Sequence, residues 1–331
     1  MSRPNNGGEL RLGTRGSRLA LWQANMVATR IAQQGGPACR IVVITTTGDQ
    51  LQEAPLSKVG GKRLFVKELE DALLHHEIDL AVHSSKDMSA VLPEGLTIAA
   101  VLPREDPLDA VVLPMSHAGS VAGFDQLVTS LGRSPSIGTG SVRRIAQLIR
   151  IVPAGRFTPV RGNLDTRLRK LDSGDFDALI LAAAGLRRLG FESRISLTLP
   201  VSVCVPAPGQ GIVATEIRAD DEATRRAVAP INDAVAAAAL GAERALVVGL
   251  GGGCQTPIGA LATVGEDNSL DLTAVVAALD GSRVFRRHAR GPRVSAEQLG
   301  ARLAAQLIAD GAGEILAQVA RELGPTGHAP H

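Results

Sequence analysis

Within residues 78–85, IDLAVHSS, the strand core Leu80–Val82 is continuously apolar, with Asp79 before it and His83, Ser84 and Ser85 after it. A strand with one wet face would alternate apolar and polar residues, so this one must be covered on both faces. Such cover comes from helices, and the flanking sequence supplies them. ELRLGT reads as a strand, and Ser17 as the N-cap of a helix, LALWQANMVATRIAQQ, with Leu19, Trp22, Met26 and Val27 on one face. RIVVITTTG predicts a second strand; a loop from Asp49 to Gly61 leads to the amphipathic helix LFVKELEDALLHH and then to IDLAVHSS. After EDPLDAVVL the alternation resumes: SIGTGS, VRRIAQLIR, FTPVRGN, LDTRLRKLDSG and DALILAAAG read strand, helix, strand, helix, strand. The chain therefore predicts two α/β units, each with polar, glycine-bearing turns just after its strands, where open α/β sheets bind ligands.

From about Asn232 the texture changes. A long alanine-rich helix precedes GLGGGCQTPIG, and LTAVVAAL and SRVFRRHAR are joined by Asp280-Gly281, a hairpin signal. The helical patterns SAEQLGARLAAQLIADG and EILAQVAREL follow, which predicts a smaller α+β third domain with an antiparallel sheet.

Composition excludes several function classes. Across 331 residues, 35 Lys and Arg stand against 33 Asp and Glu, so any basic site must arise by local clustering. Aromatic residues are 2% of the chain, too few for the base-stacking platforms of nucleic-acid binders. No apolar run approaches the roughly 20 residues of a membrane helix, and the opening MSRPNNGGEL has no apolar signal core. A cytoplasmic protein with neither nucleic-acid nor membrane partner is expected. Cys39, Cys204 and Cys254 have no disulfide or metal-like spacing, and no metal site is expected.

The basic residues cluster on turns: Arg15 in GTRGS, Lys58 and Lys62 in LSKVGGK, Lys86 in HSSKD, Arg143 and Arg144 in GTGSVRR, Arg161 and Arg167 in RGNLDTR, and Arg188 in GLRRLG. Surface helices carry many such residues without function, but this joint placement at glycine-marked strand ends points to one cleft that grips a polyanion. Each guanidinium can clamp a carboxylate through two parallel hydrogen bonds, and helices starting after Ser17 and Ser141 add unpaired N–H groups. Asp87 follows a buried strand, where it could stabilise a developing cation or simply cap a turn. His83, inside that strand, reads as a core histidine. Cys254 leaves two readings open: a nucleophilic thiol with space cleared around it for something bulky, or a small buried cysteine in a glycine-rich turn. The glycines match neither the Walker nor the dinucleotide loop.

In sequence order, LRLGTRGSRLALWQA, PLSKVGGKRLFVKELE, DLAVHSSKD, PREDPLDA, IGTGSVRR, VRGNLDTRL, PAPGQGIV and GGGCQTPIG strongly resemble the porphobilinogen deaminases, or hydroxymethylbilane synthases, over nearly all of the chain except its tails. The resemblance implies two α/β domains like those of periplasmic binding proteins. The first is discontinuous, over 1–104 and 206–230; the second spans 105–205, and the third, 231–331, carries Cys254. It further implies a dipyrromethane cofactor bonded through a thioether to Cys254, onto which four porphobilinogen molecules are joined with loss of ammonia. Water then releases the linear tetrapyrrole, an intermediate of haem and porphyrin biosynthesis.

By the same resemblance, Asp87 is the catalytic residue, holding pyrrole N–H groups and countering the positive charge left by deamination. Ser84, Lys86, Thr139, Ser141, Arg143, Arg144, Arg161, Gly162 and Arg167 are implied as cofactor contacts beside Asp87 and Cys254. Arg15, Ser17, Gln23, Lys58, Lys62, Phe65, Arg188 and Gln210, again with Arg161 and Arg167, are implied for substrate. A monomer is expected. The chain departs from the family pattern at Arg18, Arg63, Ser89 and Gly140, none of which removes a proposed catalytic group.

Overall fold

The computed structural model describes residues 8–47, 66–117, 121, 123–252 and 256–323. These residues divide into two compact units, one drawn from Met1–Arg104 and Ile212–Ala237, the other from Glu105–Gly211 and Ala238–His331.

In the first unit β1 (Glu9–Thr14), α1 (Arg18–Gln33), β2 (Ala38–Val43), α2 (Lys67–Leu74), β3 (Leu80–Ser84) and β4 (Leu96–Val101) are joined, much later in the chain, by β10 (Val213–Arg218) and α7 (Glu222–Val228). The sheet order is β2-β1-β3-β10-β4. β1 runs parallel to β2 and β3, whereas β10 runs against both β3 and β4. β3 is covered on both faces, as its composition requires. Leu80 and Val82 pack with Ala24, Val27 and Ile31 of α1, while Ala81 packs with Leu69, Ala72 and Leu73 of α2. Each of the larger side chains contributes about 1.5–3 kcal/mol by leaving water.

The second unit contains β5 (Asp109–Val112), α3 (Phe124–Ser130), β6 (Ser136–Gly138), α4 (Val142–Leu148), β7 (Arg156–Thr158), α5 (Leu164–Asp172), β8 (Ala178–Ala182), α6 (Ala183–Arg188) and β9 (Leu197–Leu199). Its order, β7-β6-β8-β5-β9, repeats the winding of the first sheet, with the fourth strand again antiparallel to its neighbours. Helices likewise cover β8 on both faces, Leu168, Leu171 and Leu186 on one and Leu127 and Leu148 on the other.

Helix α8 (Ala234–Gly249) leads on to β11 (Ile258–Val264), β12 (Ser269–Ala277), β13 (Val284–Pro292), α9 (Ala296–Ala309) and α10 (Ala312–Leu323). The three strands form an antiparallel sheet in the order β11-β12-β13, and Gly281, at φ +71°, makes the expected hairpin turn. The expected fold class is thus present: two like-wound mixed α/β sheets and a smaller antiparallel sheet packed by helices.

Helix α1 buries the expected face only in part: Val27 is buried as expected, but Leu19, Trp22 and Met26 are only half-buried. Ser17 caps it as expected, its Oγ accepting the Ala20 N–H at 3.3 Å. The buried stripe, however, is Gln23, Ala24, Val27 and Ile31, with Leu19, Trp22 and Met26 at its margins. Small Ala24 lets the helix lie close on the sheet, and bulky Trp22 is displaced to the edge of the contact.

Candidate functional site

In the first unit, the end of β3 passes into a 3-10 turn, Ser85–Asp87. The turn is fixed by its backbone: Ser85 N–H donates to Ile212 O at 2.9 Å and Met88 N–H to Ser85 O at 3.1 Å. Lys86 and Asp87 are left half-buried at the strand's carboxyl end. Ser84 is held from α1, where the buried Gln23 donates through Nε2 to Ser84 Oγ at 2.8 Å. Gln23 therefore joins helix to strand three residues before Asp87 in the chain. Arg15 and Ser17 sit half-buried on the turn from β1 to α1. His83 is buried, its Nε2 lying 3.0 Å from Glu216 Oε2 on β10.

In the second unit the polar groups gather on one carboxylate. Asp109, at the start of β5, is fully buried. Its Oδ2 accepts Arg143 Nη1 at 2.7 Å, and its Oδ1 accepts Arg144 Nη2 at 2.7 Å, Arg144 Nε at 2.9 Å and Gln210 Nε2 at 2.9 Å. Further donors go to backbone: Arg143 Nη1 to Val205 O and Arg144 Nη1 to Ile180 O, both at 2.7 Å. Burial opposes the charge on Asp109, but the two guanidiniums outweigh it and hold the carboxyl well below its usual range. Arg143 and Arg144 thus direct most of their hydrogen bonding inward.

Among the described residues, two guanidiniums against one carboxylate leave one positive charge over in a buried place, and Arg143 Nε has no hydrogen-bond partner. A buried charge needs an opposite one. A group bearing carboxylates meets that need, so the residues present fit a dipyrromethane with acidic side chains. Cys204 lies in the same cluster, its Sγ 3.4 Å from both Arg143 Nη1 and Asp109 Oδ2. Burial pushes its thiol up to about 12.

The remaining expected residues surround this cluster in sequence. Buried Thr139 follows β6, its Oγ1 accepting the Ser141 N–H at 3.3 Å, and half-buried Ser141 begins α4. Arg161 and Gly162 follow β7, both half-buried; Gly162, at φ +103°, turns its carbonyl toward Arg167 Nε at 2.9 Å. Arg188 Nη2 donates to Gly211 O at 2.6 Å, and burial brings its guanidinium down to about 10 although Glu105 opposes the shift. Gln210 also reaches Pro107 O at 2.7 Å. Lys58, Lys62, Phe65, Arg63 and Cys254 lie outside the described residues.

Asp109 escapes notice in the sequence. It lies in the motif PREDPLDA, but its role is hinted at only by an acid opening an otherwise apolar strand, DAVV. Its two arginine partners lie 34 and 35 residues further along the chain.

Two like-wound sheets, with hydroxyl and guanidinium side chains on the turns that follow their strands, define the class first: an α/β protein with polar, basic strand ends, where open sheets of this kind bind ligands. A family model described as "Porphobilinogen deaminase, dipyromethane cofactor binding domain" matches residues 10–226, and one described as "Porphobilinogen deaminase, C-terminal domain" matches 237–309. Porphobilinogen deaminase of Geobacter metallireducens is 46% identical over 94% of this chain and 95% of its own length. That of Brevibacillus brevis is 46% identical over 95% and 99%, and that of Desulforudis audaxviator 48% over 94% and 98%. Among solved structures, an ancestral cationic amino acid solute-binding protein aligns with 68% of this chain and 88% of its own at 14% identity and a TM-score of 0.40. The chain belongs to the porphobilinogen deaminase family.

Proposed function

We propose that this chain is a hydroxymethylbilane synthase, a transferase that joins four porphobilinogen molecules in turn and releases the linear product with water. The single observation that carries this reading is the family match across residues 10–226 and 237–309. Bonded to Cys254, a dipyrromethane would supply the free pyrrole α-carbon for the first unit, and the terminal ring of the lengthening chain would supply it for each later one.

The roles of the side chains follow from their chemistry. Asp87, half-buried on a turn pinned to Ile212, accepts pyrrole N–H groups and lies against the cation that forms as the aminomethyl group departs as ammonia. Its carboxylate can also take up the proton displaced from the attacking α-carbon. Lys86, Arg15, Arg161, Arg167 and Arg188 neutralise acetate and propionate groups, while Ser17, Ser84, Thr139 and Ser141 offer hydrogen bonds. The pair on Asp109 contributes its surplus positive charge, and Gln23 and Gln210 support Ser84 and Asp109. Lys58, Lys62 and Phe65 belong to the substrate set of the same reading. The division into three domains, a monomeric state and a cytoplasmic location complete it; no helix among the described residues is long and apolar enough to cross a membrane.

Intact-mass and peptide analysis tests the proposal. Purified protein is expected to carry a dipyrrole on the Cys254 peptide and to gain stepwise pyrrole masses with porphobilinogen. An unmodified Cys254 in active protein would overturn the cofactor assignment.

A further inference from the structure

Helix α8 contains one buried acid that the reaction does not use. Glu243 is fully buried, and its two oxygens go to segments far apart in the chain. Oε2 accepts the Gly209 N–H at 2.6 Å and Oε1 the Ala262 N–H at 2.7 Å. Ala262 lies on β11, an edge strand whose other side pairs with β12.

Along that open edge the chain segment 205–211 lies as a strap. Ala260 N–H donates to Pro206 O at 2.9 Å, and Gly259 approaches so closely that a Cβ there would stand 2.7 Å from Val205 O. The same strap reaches the arginine cluster. Val205 O accepts Arg143 Nη1, Val205 N–H donates to Gln147 Oε1 at 2.8 Å, and Gln210 Nε2 reaches Asp109. One carboxylate therefore fastens the segment that holds Arg143 to both α8 and β11, and these are the two elements that flank Cys254 in sequence.

We propose that Glu243 is a positioning residue for the cofactor: it registers the strap 205–211, and with it Arg143, against the elements on either side of Cys254. The proposal rests on the reading that Cys254 tethers the dipyrromethane. A fully buried carboxylate that accepts two backbone N–H groups costs desolvation that a purely packing role would not require. Glutamine cannot replace it, since its amide offers one acceptor oxygen and sets an N–H against the second backbone donor.

The test is covalent loading, read by intact mass after apoprotein is mixed with porphobilinogen, in wild type, Glu243→Gln and Val228→Ala, a core truncation in the other unit. Wild type and Val228→Ala are expected to load at similar rates, and Glu243→Gln at least about tenfold more slowly, because misplacement by an ångström can cost 10²-fold. Equal loading of wild type and Glu243→Gln overturns the role of Glu243 and leaves the tether standing. Equal slowing of both variants also overturns it, since any loosened fold would then suffice. A wild type that acquires no pyrrole mass overturns the tether, and the proposal with it. If Glu243→Gln does not fold, amide exchange on wild type decides. The Gly209 and Ala262 N–H groups are expected to gain protection together on loading, and no change in either would refute the coupling.

Discussion

Asp109 Oδ2 lies 2.7 Å from Arg143 Nη1, and neither side chain has more than a few per cent of its surface in water. A charge pair in such a place is worth little against well-packed apolar residues, but removing one partner strands the other. Asp109→Asn leaves two buried guanidiniums without a counter-charge. It should lose about 3–5 kcal/mol in denaturant unfolding.

The same carboxylate sets an acid limit on stability. Its folded-state pKa is depressed, so its contribution is complete above the unfolded value, about 3.9, and is lost as pH falls from there toward the much lower folded value. Unfolding free energy of wild type should therefore fall steadily below about pH 4. Asp109→Asn should show a shallower decline over that range; an identical slope would remove Asp109 from the account.

Cys204 offers a reactivity test. Burial raises its thiol from 9.0 to about 12, which lowers its thiolate population near pH 8 by about a thousandfold relative to an exposed cysteine. Alkylation mapped by peptide mass should leave Cys204 unlabelled in the native protein and label it rapidly in denaturant. Cys39, raised to about 11 by burial and Glu9, should lie between these extremes. Fast native labelling of Cys204 would mean that the Asp109 cluster opens.

Asp87→Asn separates binding from chemistry. The residue is half-buried and its turn is held by backbone bonds from Ser85 and Met88, so the variant should fold and retain the dipyrrole. Turnover should fall by at least about 10²-fold, the usual cost of removing one group aimed at a developing charge. Turnover at the wild-type rate would exclude Asp87 from the reaction.

Much of this was legible in the chain. Apolar continuity required β3 to be covered twice, and Leu80 and Val82 on one face and Ala81 on the other show that it is. The turn-borne arginines were legible too, because GTGSVRR and RGNLDTR place them after short strands. What those arginines bind was not. Arg143 spends its donors on Asp109 and Val205, partners 34 and 62 residues away that local patterning cannot pair. The insertion of β10 between β3 and β4 is hidden for the same reason, and only the family resemblance led to it. Glu243 reads as one more charge on a helix until Gly209 and Ala262 are found against it.

Two serines that look alike in sequence should behave differently. Ser17 and Ser141 each precede a helix after a Gly-Thr strand end, but only Ser17 uses its hydroxyl as a cap. Ser17→Ala should cost about 1 kcal/mol, the usual penalty for losing an N-cap. Ser141 Oγ accepts no cap hydrogen bond from α4, so Ser141→Ala should leave the unfolding midpoint nearly unchanged. If its hydroxyl serves the bound carboxylates, the loss appears instead as weaker porphobilinogen use, with KM raised about threefold to tenfold, as expected for one hydrogen bond worth about 0.5–1.5 kcal/mol. Thermal unfolding and steady-state kinetics on the two alanine variants decide the matter, since a Ser141→Ala protein with altered stability and unchanged KM would reverse the assignment.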